Sequence, residues 1–215
     1  MQWVVWVALG GLLVGCGAPP VHQVVKVGDP PTQAQSPGPA AAPAPHPVPP
    51  TGVAVVPASS HVTGLPYPAH CVSRNGGQFP DPVCTPGAIR DDIDPEHLEL
   101  TVCKPGWSGS VRPPKTETDR LKTQAMRAYG VPASERKTTE LDHQIPESMG
   151  GASDVKNLRP EVSDLHGAGF RNSKDGVEDT IHTWVCSGHR DRWADAVIAI
   201  NTDWTTAERK LGIKP

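Results

Sequence analysis

An acid and a histidine stand side by side in the run Glu140-Leu141-Asp142-His143-Gln144-Ile145-Pro146, and Asn157 follows just ahead of Leu158. Hydrolysing a phosphodiester takes a carboxylate that can hold a metal, a neutral base for water, and a group that keeps the base in place. Asp142, His143 and Asn157 can supply these three. A carboxylate suits a hard divalent ion, and an imidazole neutral at neutral pH suits the base. The amide of Asn157 donates and accepts at once, as an orienting role requires. The bland account of the same residues is an Asp142 paired to a neighbouring Arg, a surface His143, and a turn asparagine before Leu158-Arg159-Pro160.

These side chains need elements to carry them. Neighbours on a strand point to opposite faces, so only a distorted strand end lets Asp142 and His143 serve one site. Residues 138–142 are β-compatible, Gly150-Gly151 permits a turn, and 155–158 read as a second short extended piece. Residues 164–169 form a Gly-containing loop. The stretch 173–186 reads as a helix with Val177, Ile181, Trp184 and Val185 on one face and Ser187-Gly188 at its end. Upstream, 116–129 is helical, with Thr116 as cap, Leu121, Ala125, Met126 and Tyr129 as an apolar stripe, and Gly130 and Pro132 as stops. Its Arg120, Lys122 and Arg127 read as a solvated face ahead of a DNA-backbone contact. Two further helices are expected over 189–200 and 202–211. Asp94-Pro95-Glu96 suggests a short helix start, and 107–114 an irregular linker.

Composition divides the 215 residues into a domain and a tail. The 25 prolines crowd the first third, so 17–65 reads as a disordered Pro/Ala-rich spacer, with His22, His46, His61 and His70 solvated in or beside it. Residues 1–16 carry an apolar run ending in Leu13-Val14-Gly15-Cys16, which looks like a bacterial lipobox with Cys16 as the lipidated residue. The segment before that run carries no Lys or Arg. Export makes the other cysteines meaningful: Cys71, Cys84, Cys103 and Cys186 form an even set and read as two disulfides. Three pairings are possible, and Cys71–Cys84 with Cys103–Cys186 is preferred. A zinc site is the rival, but no CxxC or HxxxH spacing supports it. The net charge of −3 makes no global electrostatic case for a nucleic-acid partner, so any such patch must be local.

The spacing D-H-x-x-P…G-G…N-L resembles the HNH endonucleases, whose ββα-metal hairpin carries this pattern. A branch of small exported bacterial members is similar over roughly residues 80–210, through Cys84-Thr85-Pro86-Gly87-Ala88, Val102-Cys103-Lys104-Pro105-Gly106, Ser110-Val111-Arg112-Pro113-Pro114, Tyr129-Gly130, Lys174-Asp175…Glu178…Ile181-His182…Val185-Cys186 and Asp203-Trp204. The resemblance adds weight to Cys103–Cys186. It implies an α+β domain over 66–215, a ββα-metal core wrapped by helices. It also implies one divalent ion, Mg²⁺ first and Mn²⁺ or Zn²⁺ otherwise, held by Asp142 and a residue from the following helix. Asn172 is preferred for that ligand over His166, with His182 read as packed or surface. The family's asparagine, here Asn157, fixes the hairpin and orients the histidine. Lys174 or Arg159 is expected to contact phosphate. Arg159 and Asn172 depart from the family's usual Trp and His. The expected function is metal-dependent cutting of nucleic acid, DNA ahead of RNA, by a monomer anchored in the bacterial envelope with no protein partner. The alternatives are a non-catalytic envelope lipoprotein on the same scaffold and a metal-binding adhesion or docking module.

Overall fold

The computed structural model describes residues 50–165 and 168–214. The leader, Cys16, residues 17–49 of the spacer and His166 lie outside them. No helix among the described residues is long and apolar enough to cross a membrane.

The first strand lies inside the stretch read as spacer. Val53-Ala54-Val55-Val56 is a β-branched run between Pro50 and Pro57. It forms β1 (Ala54–Val56), parallel to β2 (Ala88–Arg90), with Val56 and all of β2 buried. Thr63 then bridges to Asp154, and its N–H donates to the Ser153 carbonyl at 3.0 Å. His61 is paired too, its Nδ1 lying 2.8 Å from Glu117. The spacer boundary at 65 is therefore corrected: residues 53–63 already belong to the folded part.

Asp94-Pro95-Glu96 makes a turn instead of a helix, because the Asp94 carboxylate takes up the Glu96 N–H. The segment read as irregular linker opens with a short helix, α1 (Trp107–Val111), followed by α2 (Lys115–Ala128). Leu121, Ala125 and Met126 of α2 are buried, as their spacing requires.

β3 (Thr139–His143) pairs antiparallel with β4 (Leu158–Val162), placing Asp142 opposite Arg159 and His143 opposite Leu158. The second strand begins three residues later than expected. Asp154 Oδ1 accepts from Lys156 N and its carbonyl from Asn157 N and Leu158 N, so residues 154–157 are a turn. Pro160 is tolerated because this sheet has only two strands.

α3 (Lys174–Cys186) and α4 (Trp193–Leu211) pack together over a core of Ile181, Val185, Trp193, Val197, Ile200 and Trp204, with Ile145 and Met149 from the hairpin loop. The two C-terminal helices of the sequence reading become one element broken at Asp203, whose φ of −165° and ψ of 91° are not helical. Asp203 caps the second half, accepting from Thr205 N at 3.1 Å. The chain is an α+β protein with two disulfides, Cys71–Cys84 and Cys103–Cys186. The second closes a loop of 83 residues. By the chain-entropy argument it contributes about 4–5 kcal/mol and the shorter one about 3 kcal/mol.

Candidate functional site

The loop between β3 and β4 is built around Asn157, which is wholly buried. Its Oδ1 accepts from Ile145 N at 2.9 Å and Ala88 N at 3.2 Å. Its Nδ2 donates to Ile145 O and Ala152 O, each at 3.0 Å. All four valences of the amide are spent on backbone, and the Asn157 carbonyl accepts from Gln144 N at 2.7 Å. Among the described residues Asn157 therefore holds the loop and makes no hydrogen bond to the His143 ring. Gly151 is required beside it, because a Cβ there would run into the Ile145 carbonyl and the Asn157 amide. Trp193 Nε1 to Met149 O, 3.0 Å, and Gln144 Nε2 to Asn201 O, 3.0 Å, pin the same loop to α4.

Asp142 and His143 diverge, as neighbours on a strand do, so the distorted strand end expected to bring both to one site is not found: Asp142 turns to Lys174 and Arg159 and the His143 ring to Ser153. The His143 Nε2 lies 3.0 Å from Ser153 Oγ. Burial holds the His143 ring below its ordinary pKa, outweighing the pull of Glu147 and Asp142 the other way. Its ring is thus neutral at neutral pH. Asp142 turns to a buried charged cluster. Its Oδ2 is 2.9 Å from Lys174 Nζ and 3.6 Å from Arg159.

That cluster corrects two expectations. The Lys174 side chain is 0% exposed and its ammonium is spent on Asp142, on Glu178 and on the His143 carbonyl at 2.8 Å. Burial alone would depress its pKa; the carboxylates of Asp142, Glu178 and Glu161 outweigh burial and hold it above the ordinary lysine value. Arg159, 1% exposed, binds Gly77 O, Gln78 O and, at 2.7 Å, Glu161. Neither head group reaches solvent, so neither is presented to a phosphate. They buttress Asp142 instead, and the bland expectation of an Asp142–arginine pair is met in part. Three carboxylates, Asp142, Glu161 and Glu178, face two cations here. The excess negative charge shows in Glu161, which burial and then Asp142 push up to about 7, and in Glu178, which burial pushes to about 8. Both carboxyls are thus disposed to hold a proton more readily than an exposed glutamate does.

Asn172 precedes α3 and accepts from Asp175 N through Oδ1 at 2.8 Å, while its Nδ2 is buried with no partner among the described residues. His182 is a packed residue, 2.9 Å from the Val102 carbonyl. Among the described residues there is no group of three or more His, Cys, Asp or Glu side chains placed to hold a metal. Asp142 and Asn172 would contribute one carboxylate and one amide oxygen.

Ser153 and Glu161 carry no signal in the sequence pattern, while Glu178 and Arg112 stand in the segments of the resemblance without a role and Lys115 lies just beyond one of them. Arg112 and Lys115 line an open cleft of ≈510 Å³ with Pro113, Thr118, Asp119, Lys122, Glu140, Leu141 and His143. The signal that could have found Arg112 and Lys115 is their placement around Pro113-Pro114, just before a helix. No protein-family model, curated protein or solved structure matches this chain.

Proposed function

We propose that the chain is an exported, lipid-anchored endonuclease that hydrolyses phosphodiester bonds in nucleic acid with the help of a divalent ion. In this reading β3, β4 and α3 are a ββα-metal core. The observation that carries it is His143: a ring kept neutral by burial, at a strand end beside Asp142, on the wall of a cleft with three cationic side chains. With Nε2–H donating to Ser153 Oγ, the lone pair lies on Nδ1, which is bonded to none of the described residues. Nδ1 is then the atom that takes a proton from water. Ser153 accepts from Nε2–H in this tautomer, and Asn157 fixes the loop that carries Ser153.

By their chemistry Asp142 and Asn172 would offer oxygen ligands, which suit Mg²⁺ or Mn²⁺ over Zn²⁺; Asp142 Oδ2 is held by Lys174 and Asn172 Oδ1 accepts from Asp175 N, so each would have to exchange or share these partners with the ion. Bound at these residues, the ion would polarise the scissile phosphate and stabilise the leaving oxygen. Lys174 and Arg159 fix the direction of the Asp142 carboxylate and act as positioning residues.

The test is incubation of the protein with plasmid DNA in Mg²⁺, Mn²⁺ or EDTA. Metal-dependent nicking that falls by about 10²–10⁴-fold in His143→Ala is the expected result. Nicking that survives this substitution sinks the assignment. DNA binding without nicking would favour the non-catalytic envelope lipoprotein.

A further inference from the structure

We infer that the cleft beside His143 is a track for backbone phosphates, in which Arg112, Lys115 and Lys122 hold the phosphates flanking the scissile bond. The inference rests on the reading of His143 as the base. It replaces Lys174 and Arg159, whose head groups are buried, with cations that line an open cleft.

Arg112 is prepared for this work. Its side chain is 66% exposed, yet its Nε is fixed by Glu147, 2.9 Å away and 4% exposed. The two terminal guanidinium nitrogens are bonded to none of the described residues. A guanidinium held by its inner nitrogen presents its outer edge as a fork, the geometry that binds a phosphate bidentately. Lys115 opens α2, whose preceding Pro114 gives no side-chain cap. The Pro114 carbonyl is bonded by Glu117 N and Thr118 N, which leaves the Lys115 and Thr116 N–H groups at the helix start bonded to none of the described residues. A 14-residue helix then offers free N–H groups and the positive end of its dipole where Lys115 already stands. Lys122 lies two turns further along the same wall, its ammonium 2.9 Å from the Arg136 carbonyl.

Two carboxylates line the cleft as well, Asp119 and Glu140. Asp119 is held by Lys115 at 2.5 Å and by Arg136 at 3.7 Å. Exposed pairs of this kind are weak, so Lys115 can exchange Asp119 for a phosphate while Arg136 keeps it company. With His143 neutral, three cations face Asp119 and Glu140 on the lining, with Glu140 pushed up to about 7 by burial and then by Asp142, and Glu147 lies behind Arg112. This is the local patch that the chain's net charge of −3 does not reveal.

The experiment is a titration of fluorescein-labelled DNA duplex with the full chain in EDTA, over about 50–200 mM salt. Arg112→Gln, Lys115→Gln and Lys122→Gln are compared singly and together. Lys210→Gln, an exposed lysine outside the cleft, is the charge-matched control. Each cleft variant should lower the slope of log affinity against log salt by about 1, equally for unrelated sequences, and the triple variant by about 3. In the presence of metal these variants should raise KM by a larger factor than they lower kcat. A triple variant whose slope matches the Lys210 control overturns the track. If plasmid is cut but the slope is unmoved, the nuclease reading stands and the track falls. If the slope falls as expected but nothing is cut, the track stands and the nuclease reading falls.

Discussion

Asn157→Ala separates two roles that the sequence motif leaves joined, fixing the hairpin and orienting the histidine. The substitution removes four hydrogen bonds of 2.9–3.2 Å, all to backbone groups inside the fold. At about 1 kcal/mol for each bond made, the loss is about 4 kcal/mol, and it grows for every backbone group left dry and unpaired. Against a whole-domain stability of roughly 5–15 kcal/mol this is severe. For a domain of this size about 1 kcal/mol moves Tm by about 2–4 °C, so the midpoint should drop by about 8–16 °C. Asn157→Asp keeps the acceptor side but turns an oxygen toward Ile145 O and Ala152 O, where two N–H groups donated before. It should be at least as unstable at neutral pH and should recover on acidification, as the buried carboxyl protonates and donates once more. Thermal unfolding followed by circular dichroism reads both. An Asn157→Ala variant that melts within about 3 °C of the parent, yet loses hydrolysis, would refute the reasoning. Asn157 would then act on His143 and not on the loop.

Four further outcomes follow from the same geometry. Because burial lowers the His143 pKa, the acidic limb of kcat/KM should have its midpoint below 6.5, and a midpoint above that value would show that the carboxylates dominate the ring. Glu161→Gln should stabilise the protein, most above pH 7 and not below about pH 4.5: Glu161 is raised to about 7, so its stabilising contribution is present below the unfolded pKa and lost as pH rises through the folded one; a constant difference in urea midpoint from pH 4 to 8 would contradict this. Truncation before residue 50 should leave Tm unchanged, whereas truncation before residue 66 removes β1 and the Thr63 bridge and should lower Tm markedly; equal melting of the two would remove β1 from the fold. Calorimetric Mg²⁺ titration should lose its heat in Asp142→Ala and keep it in His143→Ala, and the reverse pattern would exchange base and ligand.

The local elements were legible because their causes are local. Leu121, Ala125 and Met126 announce α2 by spacing alone, and the break near residue 202 was visible before Asp203 supplied its reason. An even cysteine count, with export expected from the leader, made two disulfides the expectation, and the preferred pairing is the one found. β1 was hidden because its support is not local: a valine run among prolines becomes a strand only when Ala88–Arg90 arrives to pair with it. The start of β4 was missed for a smaller reason, the Asx turn that Asp154 imposes on residues the pattern alone would extend.

For the site, the sequence by itself named the acid, the histidine and the asparagine, since residue type and order fix what chemistry is on offer. What only the tertiary structure decided is which of the charged groups face water. Lys174 and Arg159 carry the same formal charge as Lys115 and Arg112. Yet the first pair is sealed against Asp142, Glu161 and Glu178, while the second pair lines a cleft. A charge in a sequence carries no sign of its burial. Only the approach of distant segments sets its desolvation and its partners, and with them its role.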